Sequence, residues 1–68
     1  MEIIERIAND LISEFGITKE TKEAFLENND FVFDVEEKLK GSKGVLQNFE
    51  SCKQEYIDAI IDKIDEII

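Results

Sequence analysis

The sequence predicts an all-α fold, a small bundle of about three to five helices with a long C-terminal helix. Three observations lead there. Apolar residues recur at helical spacing over both ends of the chain. Only one short run, Phe31-Val32-Phe33-Asp34-Val35, alternates as a strand would, and a lone strand has no partner. No Pro interrupts any segment, and the Gly residues fall where helices should stop.

The first helix is expected over residues 2–15. Ile3, Ile4, Ile7, Ala8, Leu11, Ile12 and Phe15 form a wide apolar stripe, and Gly16 suits a left-handed cap. Thr18 is a candidate N-cap for a second helix over residues 19–28, ended by the turn-forming cluster Asn28-Asn29-Asp30. A third helix is expected from residue 31 or 34 to residue 40, because Asp34 and Glu37 have capping-box spacing. Lys38 and Lys40 complement its C-terminal dipole, and Gly41 is its stop. After Gly41-Ser42-Lys43-Gly44 the helical period runs from Val45 to Ile68. One helix of about 24 residues would be roughly 36 Å long. Ser51 with Gln54 could instead divide it into two helices meeting near residue 51. The last helix should pack along the first, since both carry Ile-rich stripes.

At 68 residues the chain is long enough for a single helical domain, residues 1–68. Hydrophobic residues make up 43%, which favours a folded chain over a disordered acidic tail. The formal charge of −9 argues against direct contact with nucleic acid or an anionic membrane, since both require a basic face. No secretory signal or membrane-length apolar run is visible. One Cys suits a reducing compartment, so a cytoplasmic protein is expected.

Catalytic chemistry is hard to assemble from these residues. There is no His to serve as base or metal ligand, and Cys52 has only Lys53 as a nearby cation. Its spacing from Phe49 and Tyr56 suggests a small core residue. Asn28-Asn29-Asp30 lacks the Gly and the spacing of a calcium loop. No enzyme activity, metal or cofactor is therefore expected. Lys38, Lys40 and Lys43 could hold an anion beside the next helix, but complementing the preceding helix end is the simpler role.

Two helix faces are candidates for binding another protein. Glu55, Asp58, Asp62, Asp65 and Glu66 line one side of the last helix, and Glu2, Glu5, Asp10 and Glu14 could extend that acidic patch. Such a face suits a basic partner, and at about 5–6 Å between neighbours its acids could mimic DNA phosphates. A solvated face that keeps the protein soluble is the plainer account. Ile57, Ile61, Ile64 and Ile68 form an apolar arc that could hold a partner or a second copy. The plainer account there is that the arc faces its own bundle. The class expectation is a small acidic, non-catalytic interaction module. Chains of this kind are common among phage and mobile-element accessory proteins, so an inhibitor or accessory role follows by association alone.

The segment Ile3-Ile4-Glu5-Arg6-Ile7-Ala8-Asn9-Asp10-Leu11-Ile12-Ser13-Glu14-Phe15-Gly16-Ile17 resembles the opening helix of acyl carrier proteins. Those are small acidic four-helix domains with a phosphopantetheine on the Ser of an Asp-Ser-Leu motif. This chain has no Asp-Ser-Leu. Ser42 and Ser51 are the serines that a carrier reading would have to use, within Gly-Ser-Lys-Gly and Glu-Ser-Cys.

Overall fold

The computed structural model describes residues 2–42 and 44–68. Four helices follow one another: α1 (Glu2–Phe15), α2 (Lys22–Leu26), α3 (Asn29–Lys40) and α4 (Phe49–Ile67). No strand occurs among the described residues.

α1 forms where its stripe predicts, with Ile4, Ile7, Ala8 and Leu11 buried. Its end is a Schellman motif. Gly16 takes φ +61°, a left-handed conformation that costs a residue with a Cβ more. The Ile17 N–H then donates to the Ile12 carbonyl at 3.0 Å, and Ile17 itself is buried.

The second helix is shorter than the expected 19–28. Residues 18–21 form a turn in which the Thr18 N–H donates to Thr21 Oγ1 at 2.9 Å. The Thr21 N–H donates back to Thr18 Oγ1 at 3.3 Å. Thr18 is therefore not the N-cap of the second helix: it closes a turn, and Thr21 is the N-cap of α2, which starts at Lys22. α2 has no fully buried residue, so little apolar burial is available to extend it. What holds it is aromatic. Phe15, Phe25 and Phe31 meet edge to face, with centroids 5.3–6.0 Å apart, and join α1, α2 and α3.

α3 resolves the ambiguous segment as helix, and it starts earlier than either expected boundary. Asn28 is the N-cap: its Oδ1 accepts the Asp30 N–H at 2.7 Å. The Asp34–Glu37 spacing is not the helix start, since both lie inside α3. Phe31, Val35 and Leu39 make its buried stripe, four residues apart. Gly41 follows the last turn in right-handed geometry, at φ −65°.

α4 corrects the expected start at Val45. Residues 45–48 are not helical, and Asn48 turns the chain at φ +53°, a region Asn tolerates better than most residues. Leu46 reaches the core from this turn and Phe49 from the first position of α4, while Val45 remains 70% exposed. The Tyr56 hydroxyl donates to the Gln47 carbonyl at 2.6 Å, and its ring stacks on Phe49. Cys52 departs from helical geometry (φ −112°, ψ 17°), so a kink sits one residue from the alternative division near residue 51. From Phe49 the helix has 19 residues, about 28 Å at 1.5 Å per residue, against a longest molecular dimension of 34 Å.

α4 packs most extensively on α1, then on α3. Ile57, Ile60 and Ile64 supply its buried stripe. They belong to one core cluster with Ile4, Ile7, Ala8, Leu11, Val35 and Leu39. Domains of this size draw only about 3–5 kcal/mol from such a core. Truncating Ile60→Ala should remove about 2–5 kcal/mol and leave little folded protein. Ile60→Val should cost about 0.5–1.5 kcal/mol and remain folded. Urea unfolding followed by circular dichroism checks both.

Candidate functional site

The α4 period that buries Ile57, Ile60 and Ile64 turns its acids outward. At 100° per residue, Glu55, Asp58, Asp62, Asp65 and Glu66 span an arc of about 100°, opposite the Ile stripe. All five are exposed. They are not equally free. Asp65 accepts an ion pair from Lys22 at 3.0 Å, which ties α2 to the end of α4. Glu66 lies 3.7 Å from Lys63, and Asp58 accepts the Gln54 amide at 3.1 Å. Glu55 and Asp62 have no ion pair among the described residues.

The α1 acids do not form a second bare patch. Glu5, Asp10 and Glu14 are exposed, but Glu14 pairs with Lys38 of α3. The Glu2 side chain lies outside the described residues. The basic spot is likewise spent on acids: Lys38 on Glu14, and Lys40 on Glu36 and Glu37 at 3.4 and 3.5 Å. Lys43, its third member, lies outside the described residues. Lys53 reaches Glu36 at 3.5 Å and links α4 to α3.

The apolar arc needs a correction. Ile57 is 3% exposed and Ile64 is 0% exposed, so both are core residues in the folded chain. Ile61 and Ile68 are partly buried and pack against that core. The four do not form a free face. The large apolar residues in water are others: Phe33 at 59%, Val45 at 70% and Ile67 at 42%. For Phe33 the signal was present, since it lies on the opposite side of a helix from Phe31 and Val35. For Val45 none was, because it fits the helical period of residues that follow it.

Cys52 is a free, half-buried thiol at the α4 kink and not a core residue. Ser51 is exposed in the first turn of α4. Ser42 is half-buried in the turn after α3, where its N–H donates to the Leu39 carbonyl at 2.9 Å. It borders an open cleft of about 380 Å³ whose walls include Ile3, Arg6, Ile7, Asp10 and Val45. No group of three or more His, Cys, Asp or Glu is placed to hold a metal among the described residues. No described helix is long and apolar enough to cross a membrane.

Compared with known proteins, the chain matches no protein family, no curated sequence and no solved structure. The likeness to acyl carrier proteins therefore rests on the α1 pattern alone.

Two lysines are held above their ordinary value of 10.5. For Lys38 the cause is its hydrogen bond to Glu14; partial desolvation opposes it, and the Glu14 and Asp10 charges add to it. For Lys40 it is first the charge of Glu37, then hydrogen bonds to Glu36 and Glu37. A raised pKa means that the folded state binds the proton more tightly than the unfolded state. The stability these pairs add is complete below pH 10.5 and is lost as pH rises through the folded-state values. Thermal melts should show less of this alkaline loss in Lys38→Met than in wild type. The net charge of −9 predicts a second effect: moderate NaCl should raise the melting temperature, because screening reduces self-repulsion more than it weakens the exposed pairs. A melting temperature that falls with salt would show that the pairs dominate.

Proposed function

We propose that the chain is a small non-catalytic interaction module that binds a basic protein through the acidic side of α4. One observation carries the reading. The five acids of that side are all exposed on one arc, while the competing apolar arc is used by the molecule's own core. The arrangement also has a cost that favours a partner. Asp62, Asp65 and Glu66 crowd the C-terminal half of α4, where the helix dipole disfavours negative charge. A cationic surface would relieve both the dipole and the mutual repulsion.

Binding of this kind depends on charge and weakens as salt screens it. Asp58→Lys, Asp62→Lys and Glu66→Lys reverse three of the acids and leave Asp65 to hold Lys22. The triple variant should fold, and its circular dichroism should match wild type. In parallel affinity captures, a basic protein should be retained by wild type at low salt, released at high salt, and missed by the variant. A partner captured equally by both proteins, or held through high salt, would sink the acidic-face reading. Release of the partner by duplex DNA would identify its cationic surface as a nucleic-acid site, the phosphate-mimic version of the same function.

A further inference from the structure

We propose that the outer side of α3 around Phe33 is a second docking surface, for a basic protein that offers an apolar pocket to the Phe33 ring. The proposal rests on the reading that the partner is basic and adds where its apolar contact falls. Phe31, Val35 and Leu39 define the buried side of α3. At 100° per residue, Phe33 points about 160° away from the middle of that stripe. The other four Phe rings are all packed. Phe31 and Phe49 are buried, and Phe15 and Phe25 lie against the core. Phe33 alone leaves most of its ring in water, at 59% exposure.

Its surroundings are polar and negative. Asn29 and Asp30 stand one turn before it, and Glu36 and Glu37 one turn after it. Asp30 and Glu37 are exposed. Lys40 reaches Glu36 and Glu37, and Lys53 reaches Glu36. The carboxylates of Asp30, Asp34, Glu36 and Glu37 still outnumber these two cations. An aromatic anchor ringed by polar groups is the usual composition of a binding hot spot.

Charge decides what covers it. A second copy would bring another chain of −9 against this one, and their repulsion opposes that. A bilayer presents anionic headgroups to the same carboxylates. A cationic surface with an apolar pocket complements both the ring and its rim.

The test uses two probes on isotope-labelled protein followed by NMR: a helical amphipathic peptide of Leu and Lys, and an oligolysine of equal charge. The amphipathic peptide should shift the amides of residues 29–37. Phe33→Ala should weaken it by about tenfold while oligolysine binding stays within about twofold. The variant should keep its melting temperature, because Phe33 is outside the core. Shifts confined to α4, or an affinity unchanged in Phe33→Ala, would overturn the Phe33 surface and leave the basic-partner reading standing. Binding by neither peptide would overturn both. Shifts at residues 29–37 on concentrating the protein alone would assign the surface to a second copy and overturn the proposal.

Discussion

The apolar seam between α1 and α4 is the constraint on which the rest of the molecule depends. Ile4, Ile7, Ala8 and Leu11 on one helix and Ile57, Ile60 and Ile64 on the other are all buried in one cluster. A chain this short, with a single cysteine, has no disulfide to supplement that burial. Once the seam forms, the 3.6-residue period fixes the far side of α4. The positions of Glu55, Asp58, Asp62, Asp65 and Glu66 are then a geometric consequence of which Ile residues are buried. Their exposure needs no functional cause. Their chemical identity is a separate matter: Asp65 holds Lys22 and Glu66 stands beside Lys63, while Asp62, Asp65 and Glu66 oppose the α4 dipole.

The smaller elements are attached to this seam by polar ties. Lys22 fastens α2 to Asp65 near the end of α4, Lys38 joins α3 to Glu14 of α1, and Lys53 joins α4 to Glu36 of α3. Exposed ion pairs of this type add little stability, because solvent screens them. They orient elements that apolar burial already holds, or in the case of α2 barely holds. Beyond the aromatic cluster of Phe15, Phe25 and Phe31, α2 is held by Leu26 packed against the core and by the Lys22 pair.

Legibility followed the amount of apolar periodicity behind each element. α1 was readable to the residue because a long stripe and a Gly in left-handed geometry agree. α3 was readable as helix but not at its start. Asn28 can form a turn or cap a helix with the same side-chain oxygen on the same Asp30 N–H, and only the helical bond from the Val32 N–H to the Asn28 carbonyl distinguishes the two. Asp34 and Glu37 carried a competing capping signal inside the helix. α2 was overextended because Thr18 does what an N-cap does without a helix directly after it. The α4 start was misplaced for a different reason. Leu46 is buried, as a continuous helix would require, but a left-handed turn at Asn48 separates it from Phe49, where α4 begins. Burial and helical spacing coincided there without a helix. The outward placement of Glu55, Asp58, Asp62, Asp65 and Glu66 followed from the helical period, whereas whether the apolar arc faces the core or a partner did not. The same Ile residues serve a core or an interface, and which one depends on contacts with α1 and α3 that lie far away in sequence.

The molecule therefore divides its chemistry unevenly. Nearly all of its apolar residues are committed to the interior, and Lys22, Lys38, Lys40, Lys53 and Lys63 each stand within 4 Å of a carboxylate. The cations thus offset local charge and leave the excess of 17 acids over 8 bases undiminished in total. Self-repulsion of that excess opposes the compact state in a domain with little stability to spare. A solubilising surface requires a net charge of only about 2–8 in magnitude. The chain lies just beyond that range, and five of its 17 acids share one arc of α4. Solubility accounts for the amount of charge better than for its grouping. The grouping is the feature that a cationic partner would use.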